Sequence, residues 1–226
     1  DIKTSVLSIP DTITSIEKSA INPKFLKAIF LSKNCTTLSN HIFAVGESDA
    51  ELALVYVPSS VKKIESNTFS GIHADTILLS KQSSADQATL KKQFTNIIYF
   101  NEKQNDVVAN ALTTDTTITT YVGIPKQLSV KAINKKSTDS IRYISLDNGT
   151  ALVSKDGKVT PKHNGNGYIL AYSTLSGEHT LIRVKVKDRT FTKGIFTYRI
   201  NYSKSNSVTV IECKPIHEIV VTLADS

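Results

Sequence analysis

The sequence predicts a multidomain, mainly β protein: a repeat solenoid, then an antiparallel β-sandwich, then a short C-terminal β segment. Three observations carry this. In the first third of the 226-residue chain, apolar residues recur with a spacing of seven and then five, three times over. After residue 113, short alternating runs are cut by Asn-Gly, Asp-Gly and Ser-Gly turn signals. The final stretch alternates apolar and polar residues again. The expected divisions are 1–112, 113–187 and 188–226.

The repeated triplets are Ile9, Ile16 and Ile21, then Leu31, Leu38 and Phe43, then Val57, Ile64 and Phe69. Their period is 22 residues from Ile9 to Leu31, 26 from Leu31 to Val57, and 22 from Val57 to Leu79. A period in the range of about 20–29 is the mark of a leucine-rich-repeat solenoid, whose units bury their apolar edge only by stacking. The longer middle period has a local cause, because the extra residues around Gly46-Glu47-Ser48-Asp49 fall in an outer loop. Strands are expected over 6–9, 28–31, 54–57, 76–79 and 97–100, ending in register at Ile9, Leu31, Val57, Leu79 and Phe100. The segment 83–94, with Ser83 or Ser84 as N-cap and helix formers after it, reads as a helix capping the solenoid.

The runs LSIPDTITSIEKSAI, FLSKNCTTLSNHIFA and VYVPSSVKKIESNTFSG resemble BspA-like leucine-rich repeats of bacterial surface proteins. The third copy matches closely, and in the second Ser32 stands where Pro is usual. The resemblance covers roughly residues 1–100 and implies an α/β-type horseshoe segment. The chain begins inside this pattern, which reads as a fragment or a mature product.

In the middle module, turn signals fall at Asn134-Lys135-Lys136, Asp147-Asn148-Gly149, Asp156-Gly157, Asn164-Gly165-Asn166-Gly167 and Ser176-Gly177. Such spacing predicts a β-sandwich. Leu128, Val130, Ala151, Val153, Gly157, Val159, Gly167 and Ile169 resemble the pattern of a bacterial Ig-like group 2 domain. Tyr143 departs from that pattern where Trp is usual, and Tyr168 departs where a small residue is usual. In the last segment, a hairpin is expected around 203–206 with a third strand over 218–223. This part resembles the opening of a further BspA-like array.

The net charge of +7 is uneven: 11 Lys and no Arg against 11 acids in 1–112, 11 basic against 5 acidic residues in 113–187, and 5 against 4 in the rest. Arg183, Lys185 and Lys187 alternate along one strand and read as a solvated sheet face. No recognition-helix or zinc-finger pattern accompanies them, so no specific nucleic-acid partner is expected. No run reaches the roughly 18 apolar residues of a membrane span. Cys35 and Cys213 lie in different modules, and two unpaired thiols are expected.

His41, His73, His163, His179 and His217 show no metal spacing, and no nucleophile elbow, P-loop or dinucleotide fingerprint occurs. Glu47, Asp49 and Glu51 lack the turn glycine and closing Glu of a calcium loop. Asp147 and Asp156 could be imagined as a glycosidase pair, but both sit beside Gly in turns. No catalytic residue, metal or cofactor is therefore assigned, and the chain is expected not to be an enzyme.

The family resemblance implies an extracellular, cell-surface or secreted adhesion protein. Its partner would be a host or matrix protein or a surface glycan, with the sandwich as spacer. The alternative is an accessory carbohydrate-binding or spacer region of a larger secreted enzyme, and a third possibility is a stalk. Strand alternation nominates Phe30, Tyr56, Leu78 and Tyr99, with Ser8, as a row on the sheet face away from the repeat core. An exposed row of that kind marks a partner site. The other reading is that a neighbouring module or further repeats cover it.

Overall fold

The computed structural model describes residues 5–44, 52–100, 112–132, 139–201 and 207–214. Glu47, Asp49 and Glu51, the turns at 134–136 and 203–206, His217 and the strand expected over 218–223 lie outside the described residues.

The first module is a β-solenoid of about four turns. Its parallel sheet is built from β1 (Ser5–Ser8), β2 (Leu26–Phe30), β4 (Leu52–Val57), β6 (Ala74–Ser80) and β7 (Phe94–Phe100), in that spatial order. The outer layer holds the short strands β3 (Thr37–Leu38) and β5 (Lys63–Ile64), paired in parallel, and bridges joining Ile21 to Phe43 and Lys63 to Ser84. Among the described residues there is one helix, α1 (Gln87–Gln93). The expected α/β horseshoe is corrected accordingly: strands and turns, not helices, make the outer side of the coils.

Coil-to-coil stacking is explicit in the hydrogen bonds. Backbone bonds run from Ile9 to Phe30, Leu31 to Tyr56, Lys62 to Thr36, and Glu65 to Leu38. Side chains add to them: Ser32 Oγ donates to the Ile13 carbonyl at 2.5 Å, Thr68 Oγ1 to Leu38 at 3.1 Å, and Ser83 Oγ to Val61 at 2.6 Å. Ser32, the departure from the Pro pattern, thus supplies an inter-coil bond. Inside the coils Ile16, Ile21, Leu31, Leu38, Phe43, Val57, Ile64 and Phe69 are all buried in one core, with Ile9 packed against it.

Two local expectations shift. The helix begins after Asp86, whose carboxylate accepts from the Ala88 and Thr89 amides at 3.2 and 3.0 Å. Ser83 and Ser84 are instead committed to the preceding coil, through Val61 and Lys62. Phe94 is both the helix C-cap and the first residue of β7, with its ring edge-on to Phe69 at 5.1 Å. That anchor sets the register: Leu79 pairs with Tyr99, and Leu78 with Ile98. The expected pairing is therefore off by one residue, which puts Phe100 on the far face.

In the second module, a four-stranded sheet runs in the order β12 (Ile141–Ser145), β15 (Gly165–Ser173), β16 (His179–Lys187), β9 (Thr117–Tyr121), the last pair being parallel. Facing it are β10 (Lys126–Gln127), β14 (Lys158–Pro161) and β13 (Ala151–Val153), with β8 (Leu112–Thr113) paired to β11 (Lys131–Ala132). Ile118, Leu128, Val159, Ile169, Ile182 and Val184 form the core between the sheets. Tyr143 packs against that core, and its hydroxyl bonds the Val130 backbone. A Cβ at Gly157 (φ 88°) would come within 2.8 Å of the Tyr143 ring, so the turn and the ring require each other.

The C-terminal segment forms an antiparallel sheet of β17 (Thr190–Lys193), β18 (Phe196–Asn201) and β19 (Ser207–Cys213). Phe191, Phe196, Val208, Val210 and Ile211 on it are exposed. Cys35 is buried and Cys213 exposed, and both are free thiols.

Leu38 stands at the centre of the coil stack and is fully buried. Leu38→Ala should lower stability by about 2–5 kcal/mol, read as a drop in the urea midpoint.

Candidate functional site

Of the row nominated from the sequence, Ser8 is exposed, but its large side chains do not face solvent. Phe30 is 6% exposed, Tyr56 3% and Leu78 0%, and with Ala28, Leu54 and Phe100 they share a core with Leu146, Leu170 and Tyr172 of the second module. Val6, Ile98, Ile144, Tyr168 and Leu181 close its margins. Tyr99 lies on the opposite side of the sheet, against the coil core, where its hydroxyl bonds Gln87. Of the two sequence readings of this row, cover by a neighbouring module matches its placement.

The β15–β16 turn secures that cover. Ser173 Oγ bonds Asp139 and accepts from the Ser176 amide at 2.9 Å, while the Leu175 amide donates to Asp139 at 3.0 Å. The turn so shaped presents the Gly177 carbonyl to the Tyr56 hydroxyl at 3.1 Å. Gly177 has φ 73°, and a Cβ there would come within 2.8 Å of the Phe100 ring. Glu178 meets Lys33 at 3.3 Å. Because both side chains are part-exposed, this pair orients the turn more than it stabilises it.

Next in the chain, His179 lies parallel to Phe30 with ring centroids 4.8 Å apart and tilted against Tyr56 at 4.3 Å. Its Nδ1 is 3.2 Å from the Gly177 carbonyl oxygen. Burial holds its pKa below the ordinary 6.5, and the Lys33 ammonium acts in the same direction. The Gly177 bond and the Glu178 carboxylate oppose them. Nothing in the spacing of the five histidines singles this one out. Its signal is the strand YILAY beside it, unbroken by charge as a strand covered on both faces is.

A cleft of about 570 Å³ opens where the two modules meet, between the start of β4 and β6, the end of α1, and the turn 145–149. Lys27, Lys91, Lys92, His73, Asp75 and Gln93 line the solenoid side, and Ser145, Asp147 and Asn148 the other. Asp147 is committed to its own turn, accepting from the Gly149 and Thr150 amides at 3.1 Å each and from Thr150 Oγ1 at 2.7 Å. Ser145 Oγ donates to the Ala151 carbonyl at 2.7 Å. Asp156 is held likewise by Ser154 Oγ, in a different turn. Among the described residues no group of three or more His, Cys, Asp and Glu side chains is placed to hold a metal. No described helix is long and apolar enough to cross a membrane.

No family model matches the chain, and no curated protein does. The leucine-rich-repeat and BspA-like resemblance thus gains no family assignment. One solved structure to which the chain is similar is that of domains 4 and 5 of the S-layer protein SbsC, at 20% identity and a TM-score of 0.32, covering 37% of this chain. The match spans about half of that chain, 54%.

Tyr56→Phe should cost about 1 kcal/mol, the worth of one buried hydrogen bond. Gly177→Ala should cost more, because a left-handed backbone and the Phe100 clash combine. Urea unfolding of both variants compares them, and an unchanged Gly177→Ala midpoint would contradict the packing.

Stability should also fall with acid. The unfolded chain takes up a proton near pH 6.5 that the folded His179 resists, so its contribution is complete above 6.5 and is lost as pH drops below it. Urea midpoints at pH 7.5 and 5.0 should differ by less in His179→Gln than in the parent.

Proposed function

We propose that the chain is a non-catalytic binding or adhesion unit of an extracellular, cell-surface or secreted protein. A leucine-rich-type β-solenoid and a sandwich of bacterial Ig-like type form one body, and a matrix protein or surface glycan engages that body away from the solenoid's sheet. The observation that carries this reading is the junction cleft, whose polar side chains come from both modules. Chemically it suits binding. Ser145 Oγ on its wall bonds a backbone carbonyl, and Asp147 is used by its turn. A Ser–His–Asp arrangement needs those groups hydrogen-bonded to one another.

The sandwich is then more than a spacer, since it supplies one wall of the cleft and seals the solenoid sheet. Binding must be measured on the intact chain, because cutting at 112/113 would bare the apolar row and invite non-specific adhesion. The intact chain should be retained by at least one member of a panel of matrix proteins and glycans at physiological salt, as read by surface plasmon resonance. Silence across the panel, with the chain shown folded by its near-ultraviolet dichroism, would refute the reading.

A further inference from the structure

We propose that the outward face of β16 is a binding site for a linear acidic polysaccharide, a chain bearing sulfate or carboxylate groups along its sugar units. The site lies on a different surface from the junction cleft and does not depend on it.

Strand alternation builds the site. Ile182, Val184 and Val186 are buried in the sandwich core, so Arg183, Lys185 and Lys187 project from the opposite face of the sheet. Toward the start of the strand that face is taken up by Leu181 and its neighbour Tyr168, which pack on the solenoid side. The three cations then follow in file, Arg183 and Lys187 exposed and Lys185 half-buried. Two residues of strand span about 6.8 Å, so the file is about 14 Å long. Pairing to β15 on one side and β9 on the other fixes its backbone, which lowers the ordering cost of binding.

This charge is not neutralised locally. Among the described residues no carboxylate forms an ion pair with any of the three. Of the five acids in 113–187, Asp139 is bound by the 173–176 turn, Asp147 by its own turn, Asp156 by Ser154 and Glu178 by Lys33. The fifth, Asp115, stands before the start of β9. Asp188, next to Lys187, is held by Arg199 at 3.6 Å and by the Asn164 amide at 3.0 Å. Lys126 adds a cation at β9, where its ammonium donates to the Thr119 carbonyl at 3.3 Å. Four cations with one free acid at their margin favour an extended polyanion.

The flanks of the file select the kind of polyanion. Arg183 lies between Tyr168 and Thr117, Lys185 between Asn166 and Thr119, and Lys187 beside Tyr121. Thr117, Thr119 and Asn166 are exposed, and their hydroxyl and amide groups suit sugar hydroxyls. Single-stranded nucleic acid is held by successive aromatic rings on which its bases stack. Tyr168 is packed toward the solenoid, which leaves Tyr121 as the exposed ring of the file. Duplex DNA is read by a helix or a two-stranded ribbon entering a groove, whereas this strand lies within a four-stranded sheet.

The test is calorimetric titration of the intact chain at physiological salt with a heparin octasaccharide, a neutral dextran fragment of similar length, and an oligothymidylate of equal charge. The heparin fragment should bind saturably, dextran should not bind measurably, and oligothymidylate should bind at least fivefold more weakly than heparin. Lys185→Ala/Lys187→Ala should lower heparin affinity at least tenfold, while Lys91→Ala/Lys92→Ala at the cleft should leave it unchanged. Thr117→Val/Thr119→Val should weaken heparin at least threefold and oligothymidylate by less than twofold. All of these side chains are on the surface, and unchanged urea midpoints verify folding. The proposal is overturned if heparin does not saturate, if oligothymidylate binds as tightly, if the Lys185/Lys187 variant keeps full affinity, or if the threonine variant weakens both probes equally. Should heparin fail while a matrix protein or neutral glycan is retained, this assignment falls and the reading of the chain as a binding unit stands.

Discussion

The structure depends on a parallel sheet that is covered on both faces. Every residue of Leu52–Val57 is buried, which is possible only because one side meets the coil interior and the other meets β12, β15 and β16. Removing an aliphatic or aromatic side chain of this kind from water is worth about 1.5–3 kcal/mol. The row of Phe30, Tyr56 and Leu78 therefore represents several kcal/mol that neither module realises alone. Stacked coils already depend on their neighbours. Here the dependence extends to a module of a different architecture.

Much of the coil interior was legible from spacing alone. The seven-and-five pattern from Ile9 to Phe69 names residues that are buried or packed on the core, because each coil repeats the same turn geometry and so returns the same positions inward. Legibility ended where that geometry did. At the last coil α1 replaces the repeat, Phe94 enters the core as a cap, and the register moves by one residue, exchanging Tyr99 for Ile98 and turning Phe100 toward the sandwich. Ser83 and Ser84 look like helix caps, but they bond the previous coil, and a local signal cannot show that competition.

Which face of the solenoid is open was not decidable from period-two patterning. A strand buried on both sides has no polar positions to reveal the difference. The clue lay in the partner: Tyr168, a large ring where the resembled pattern has a small residue, packs on the solenoid side with Leu170 and Tyr172. The cleft was harder still. Its lysines come from a segment of zero net charge and its far wall from a turn more than fifty residues downstream of α1, so neither charge totals nor motif spacing bring them together.

The turn carrying Gly177 touches several coils at once: Lys33 beyond β2 through Glu178, Tyr56 on β4 through its hydroxyl, and Phe100 at the end of β7 by direct apposition. In a free-standing array, units can be gained or lost with little effect beyond their neighbours. Here a coil inserted or deleted between β2 and β7 would carry one of these three contacts a strand spacing, about 4.8 Å, out of reach. The sandwich thus acts as a gauge of this stretch, and the number of coils between Lys33 and Phe100 is no longer free to drift.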